Sequence, residues 1–203
     1  MTTIILVRHG ETPLNEQRCF QGCRHDVELS ATGQEQAERL AQALRGERLA
    51  AVYSSPLKRA LGTAQAIARY HGLPVEVDFD LREVDAGEVE GLSLEELSRR
   101  YPQLWEEWRW GSGSLRLPGG EDLDDLQVRA WRALERIAAR HPQGTVAVVG
   151  HTFTNLVLIC RALGLPPGYF RRMRQGLASI NVLRSDSTGW HLVSLNDRCH
   201  LEA

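Results

Sequence analysis

Four short apolar or β-rich runs constrain this chain more than any other feature. "IILV" (residues 4–7) and "VAVV" (residues 146–149) carry no polar residue at alternate positions. A strand made from either run is therefore buried on both faces and needs cover on both sides. Two further runs, residues 50–53 and 75–77, are set between helical patterns. That alternation implies an α/β fold with a mostly parallel sheet and helices on both of its sides.

The helices read as follows. In "GQEQAERLAQALRG", Ala37, Leu40, Ala41 and Leu44 share one face, with Gly46 as the stop. "SSPLKRALGTAQAIARY" offers Ser55 as N-cap and Pro56 as the first helical residue. In "GGEDLDDLQVRAWRALERIAARHP", Leu123, Leu126, Ala130, Leu134 and Ile137 form one stripe, capped by Asp122 and followed by Pro142. Residues 153–163 read as an almost wholly apolar, central helix. "ASINVLRSDSTGWHLVSLN" reads as two strands around a Ser-Thr-Gly turn. With no repeat and no linker, residues 1–203 are expected to form one domain.

A net charge of −2 supplies no global field for nucleic acid or for an anionic membrane, so any positive potential is local. Arg8 interrupts the first apolar run, which is too short for a signal peptide, and no segment approaches the ~20 apolar residues of a membrane span. A cytoplasmic location is the expectation. Cys19, Cys23, Cys160 and Cys199 are too few for a disulfide scaffold. Cys19, Cys23 and His25, like Cys199 with His200, lack a zinc-type spacing, so no metal site is expected.

Ligands of open α/β sheets gather at the carboxyl ends of the strands. After the first strand come Arg8, His9 and Gly10. After the second come Ser54 and Ser55 with Lys58 and Arg59, and after the fourth Gly150, His151 and Thr152 at a helix start. Two guanidiniums, an imidazole and helix-terminal N–H groups make a socket for a compact tetrahedral anion such as phosphate. A second, neutral imidazole there can attack phosphorus and split one difficult displacement into two. The leaving oxygen then needs a proton from a carboxylic acid. "LREVDAGEVEGLS" offers Glu83, Asp85, Glu88 and Glu90, and physics alone does not choose among them.

"LVRHGET" with Asn15 behind it, "FQG" then "LSATGQEQA", "YSSPLKRALGTA", "LREVDAGEVEG", "PGGEDLDDLQVR" and "VAVVGHT" occur in this order. Together they resemble the histidine phosphatase superfamily, in the branch that includes cofactor-dependent phosphoglycerate mutases, over nearly the whole chain. The resemblance implies a three-layer α/β/α sandwich. It implies His9 as the phosphorylated nucleophile, Glu83 as the proton donor, and Arg8, Arg59 and His151 as the phosphate pocket. Asn15 is implied as a further polar contact; Gln21, Gly22 and Thr152 complete the candidate substrate-binding set. It implies neither metal nor cofactor.

The expected activity is metal-independent hydrolysis of a small phosphorylated metabolite through a phosphohistidine. The tail "LNDRCHL" is similar to that of short phosphatases acting on phosphoserine or α-ribazole phosphate. True mutases carry Arg-His-Tyr-Gly after the catalytic glutamate and a basic insertion; this chain has Val84-Asp85-Ala86-Gly87 and no insertion. Phosphoglycerate mutase is therefore the second reading, and a non-catalytic phospho-ligand binder is the reading from another class. His25, His71, His141 and His191 read as surface or structural, and Asp85, Glu88 and Glu90 as loop or solvated acids. Trp105 and Trp108 share a helical face, with Trp110 nearby, and either pack under a loop or form an aromatic lid for a bulky leaving group. Residues 171–174, "RRMR", are either a solvated helix face or a site for a second acidic group on the substrate. An exposed edge strand or the tryptophan block would support a homodimer.

Overall fold

The computed structural model describes residues 1–110 and 114–202; Gly111, the last residue of the tryptophan block read above, lies outside the described residues. Six strands form one sheet in the order β3-β2-β4-β1-β5-β6. They are β1 (Thr2–Arg8), β2 (Leu49–Ser54), β3 (Val75–Val77), β4 (Thr145–Gly150), β5 (Ile180–Asp186) and β6 (Gly189–Asp197). β1, β2, β3 and β4 run parallel, while β5 and β6 add an antiparallel edge. The α/β class and mostly parallel sheet expected from the apolar runs are therefore present, as is the terminal hairpin.

Strand periodicity explains why "IILV" carries no polar position. Ile4 and Leu6 pack with Val146, Val148, Ala130, Leu134 and Leu158 on one face. Ile5 and Val7 pack with Ala147, Val149, Leu40, Ala64 and Ile67 on the other. The first face is covered by α6 (Leu123–Arg140) and α7 (Thr152–Ala162), the second by α2 (Ala31–Leu44) and α3 (Lys58–His71). A third cluster, around Leu97, Leu104, Leu117, Phe153 and Phe170, lies between α7 and the segments bearing α4 (Leu94–Arg100) and α5 (Pro102–Trp110).

The helix starts differ in detail from what the sequence suggests. Helix α2 begins earlier, at Ala31: the Ser30 hydroxyl caps it by accepting from the Gly33 N–H at 3.0 Å, and Arg45 rather than Gly46 ends it. Ser55 and Pro56 precede α3, whose N-cap is Leu57; the Ser55 hydroxyl bonds both the Leu57 N–H at 3.3 Å and His151 Nε2 at 2.7 Å. Asp122 does cap α6, accepting from the Asp124 N–H at 2.7 Å. The run at 171–174 is not a helix face: a short 3-10 helix, Pro167–Arg172, ends at an extended Met173 that packs against the core.

Glycine is required where backbone meets backbone beside His9. A Cβ on Gly10 would stand 2.5 Å from the Gly33 carbonyl oxygen, and one on Gly33 2.0 Å from that of Glu11. The start of α2 thus presses on the loop that follows β1, a loop that Ser30 also ties through its N–H to the Glu11 carbonyl at 2.9 Å. Among the described residues, no helix is long and apolar enough to cross a membrane.

Candidate active site

Parallel pairing carries β1, β2 and β4 to a common edge, with Arg8 opposite Gly150 and Ser54 opposite Val149. The ladder continues one residue further on each side of β4. His9 N–H donates to the Gly150 carbonyl at 3.2 Å, and Ser55 N–H to that of Val149 at 3.0 Å. Backbone register therefore brings His9, Ser55 and His151 together, and the His9 and His151 rings lie 5.2 Å apart.

Hydrogen bonds fix the tautomer of His9. Its Nδ1 meets the Gly10 carbonyl at 2.6 Å, where it can only donate, so Nε2 carries the lone pair; the Arg59 Nε–H donates to that atom at 3.3 Å. Burial, then the neighbouring Arg59 and Arg8 charges, hold His9 well below the usual histidine range, so the imidazole is neutral at physiological pH. A neutral ring with a fixed Nε2 lone pair is what attack on phosphorus requires.

His151 is held neutral by burial first, then by Arg59 and His9. His151 Nε2 and the Ser55 hydroxyl share a hydrogen bond of 2.7 Å, and Ser55 Oγ also accepts from the Leu57 N–H. His151 Nδ1 is buried with no partner. Arg8 Nε and Gln21 Nε2 are likewise buried and unpaired. A buried donor left unsatisfied costs about 1–3 kcal/mol. Arg8 Nε and Gln21 Nε2 are two such donors, and together they offer hydrogen bonds to an anion.

Both arginines are anchored from behind. Arg59 is 1% exposed and donates to the carbonyls of Gly22 at 2.7 Å and His25 at 3.4 Å. Arg8 donates to the Gln175 carbonyl, and burial pushes it down to about 10, so it remains a cation at neutral pH. Gly22 cannot carry a side chain here, because a Cβ would meet Glu90 Oε2 and Ala86 Cβ at 2.7 Å.

Among the four acids, only Glu83 is placed at a helix N-terminus of the site. Its Oε1 accepts from Val84 N–H at 3.0 Å and from Thr154 N–H at 3.1 Å, and its Oε2 from Phe153 N–H at 3.0 Å; the Thr154 hydroxyl donates its one proton to the nearer Arg82 carbonyl at 2.9 Å. Oε1 is fully occupied, whereas Oε2 keeps a lone pair on which to carry a proton. Asp85 instead pairs with Arg24 at 2.8 Å, and Glu88 accepts from the Tyr101 hydroxyl at 2.8 Å. Glu90, expected as a loop or solvated acid, lies on a loop, with its side chain 2% exposed and facing His25 Nδ1 at 3.3 Å.

Asn15 lies nearby with its Oδ1 already used, accepting from the Thr12 N–H at 3.1 Å in the capping box of the one-turn helix α1 (Pro13–Glu16). Only its amide N–H groups are left for a ligand. Thr12 also donates to Gln21 Oε1 at 2.9 Å, which orients the Gln21 amide. Thr152 opens α7 directly after His151. Thr12, Thr154 and Gln175 support this centre without a local signal in the sequence; Ser55, at the end of a strand, carries one but reads there as a cap. Among the described residues no three His, Cys, Asp or Glu side chains gather as a metal site.

Comparison with known proteins identifies the family. Residues 4–198 match the model of the histidine phosphatase superfamily (branch 1). Phosphoserine phosphatase 1 of Hydrogenobacter thermophilus is 35% identical over 201 residues, covering 99% of this chain and 95% of that protein. Phosphoglycerate mutase-like protein 4 of Arabidopsis thaliana is 40% identical over 204 residues, covering 98% and 86%. The crystal structure of a phosphoserine phosphatase mutant from Entamoeba histolytica in complex with phosphoserine superposes with a TM-score of 0.89 at 29% identity, covering 99% of this chain and 100% of that one. The chain belongs to branch 1 of the histidine phosphatase superfamily, as a phosphatase of small phosphorylated metabolites.

Proposed function

We propose that the chain hydrolyses phosphomonoesters through a phosphohistidine on His9. The Nε2 lone pair forms the N–P bond as the ester P–O bond breaks, and the departing alkoxide takes a proton from Glu83 Oε2. Arg8, Arg59, His151, Gln21 and Asn15 supply N–H donors to the phosphoryl oxygens throughout. Water then attacks phosphorus, gives a proton to the Glu83 carboxylate, and the N–P bond breaks to release inorganic phosphate and restore His9.

One observation carries this reading: His9 is held neutral with its lone pair on Nε2, among buried N–H donors that have no acceptor. The relatives named phosphoserine phosphatase make O-phosphoserine the first substrate to try, with α-ribazole phosphate second. The test is phosphate release in the presence of EDTA, with rapid acid and alkaline quenches. Turnover should survive EDTA and pass through an acid-labile, alkali-stable phosphoprotein. In His9→Ala both should disappear, with a loss of about 10⁴-fold or more in kcat. Turnover without a phosphoenzyme would overturn the reading. The mutase reading draws on the Arabidopsis relative's name and requires interconversion of 2- and 3-phosphoglycerate without net phosphate release.

A further inference from the structure

A cavity of about 780 Å³ opens beside the catalytic centre. Three of its lining residues connect it to that centre: Thr152 follows His151, Phe153 N–H donates to Glu83 Oε2, and the Gln175 carbonyl accepts from Arg8. A phosphoryl group at His9, with its bridging oxygen at Glu83, therefore delivers its leaving group into this space. The volume lies in the range that takes a drug-sized ligand, well beyond what serine fills.

The lining has two chemistries. Trp108 stands edge-on to Phe153 at 5.3 Å and to Phe170 at 6.2 Å, so the rings form an aromatic, apolar corner. Arg172 and Arg174 supply positive charge, as does Arg109, which lies over the Trp105 and Trp110 rings, and no Asp or Glu occurs among the described lining residues. Arg171 is occupied structurally. Its Nε–H donates to the Trp108 carbonyl at 2.7 Å and its Nη1–H to that of Gly168 at 2.9 Å, tying the tryptophan helix to the turn. Arg172 and Arg174 are exposed, and neither forms an ion pair or hydrogen bond with the described residues. Cations gathered without carboxylates beside an aromatic corner suit a ligand that is flat at one end and anionic at the other.

Resting on the phosphatase reading, we infer that the preferred substrate is a phosphomonoester whose leaving group carries both a planar apolar part and a second anionic group. The planar part packs on Trp108 and Phe153, and the anionic group meets Arg172 and Arg174.

The experiment compares 4-(carboxymethyl)phenyl phosphate with 4-ethylphenyl phosphate, whose phenols are nearly equal in acidity, and with O-phosphoserine. The wild type should favour the carboxymethyl ester over the ethyl ester in kcat/KM by about fivefold, the upper worth of one exposed ion pair. That ratio should fall towards one in the double variant Arg172→Gln/Arg174→Gln, whose positions are exposed and tolerate the change. Trp108→Leu should raise KM for both aryl esters relative to phosphoserine. Equal rates on the two aryl esters, or a ratio unmoved in the double variant, would overturn the inference while leaving the phosphatase reading standing. No release from any ester, with wild type and His9→Ala alike, would overturn the phosphatase reading and this inference with it.

Discussion

At the ends of β1, β2 and β4, His9, Ser55 and His151 are set by ladder bonds that continue the sheet, and the side chains around them are mostly buried. In the neighbouring cavity, Trp108, Phe153 and Phe170 come from α5, α7 and the 167–172 turn, and are held by ring contacts rather than by register. The Phe153 N–H and the Gln175 carbonyl join the two regions through bonds to Glu83 and Arg8. On the proposed reading, substitution in the cavity alters which ester is accepted and leaves His9 in place. The same change at the strand ends would leave a buried donor unpaired. Chemistry, on that reading, rests on groups set by the strand ends, and selectivity on side-chain packing.

The largest effect that would break this division lies at Glu83. In Glu83→Gln the amide can still accept at the α7 N-terminus, but it cannot release a proton. For esters of ordinary alcohols kcat should fall by about 10²–10⁴-fold. For 4-nitrophenyl phosphate, whose leaving group needs no proton, the loss at the phosphorylation step should be far smaller. Single-turnover kinetics on the two ester types would separate the cases. Equal losses on both would show that Glu83 acts by holding α7 in place, not as a proton donor.

Next in size is the pH dependence of stability. His9 and His151 are both kept neutral in the fold by burial and by the arginines, so their folded values lie below that of an unfolded histidine. Below about pH 6.5 the unfolded chain binds protons that the folded centre refuses, so stability is present above that pH and lost as pH falls. With both residues contributing, the slope approaches about 2.7 kcal/mol per pH unit before the carboxylates begin to titrate. Urea midpoints taken from pH 7 down to pH 5 would measure it. His151→Asn should remove about half of the slope, while Trp108→Leu in the cavity should leave the slope as it is.

This contrast also decides what is legible in the sequence. Arg8, His9, Ser55 and His151 follow strands whose apolar runs announce them, so a search of the strand ends reaches them. Glu83 is one of four acids by spacing alone; its selection needs the α7 N-terminus, which arrives from 70 residues later in the chain. Glu90 lies on a loop, one of the two readings open to it, but the burial of its side chain against His25, 65 residues earlier, is not legible. The helix bearing Trp105 and Trp108 is legible, but its contact with Phe170 is not, because nothing in either segment encodes the other. Ser55 looks like a cap because it has cap chemistry; a histidine nearly a hundred residues away competes for its hydroxyl.

The smallest effect, and the sharpest test of the boundary between the two regions, is at Gln175. Its carbonyl holds Arg8, it lines the cavity, and its side chain sits in a buried amide network. There Nε2 donates to Asn181 Oδ1 at 2.7 Å, and Oε1 accepts from Asn181 at 3.3 Å and Asn155 at 3.4 Å. Gln175→Leu keeps the volume but leaves the Asn155 amide without its acceptor, costing about 1–3 kcal/mol of stability. Because the carbonyl remains, Arg8 keeps its anchor but loses rigidity behind it, and kcat/KM should fall by about tenfold, mainly through KM. Inhibition by inorganic phosphate tells the two regions apart. If phosphate binding weakens as much as ester binding, Gln175 acts through Arg8 and belongs to the strand-end centre. If phosphate binds as before and only extended esters suffer, the network shapes the cavity, and the boundary between chemistry and selectivity runs through the backbone of this one residue.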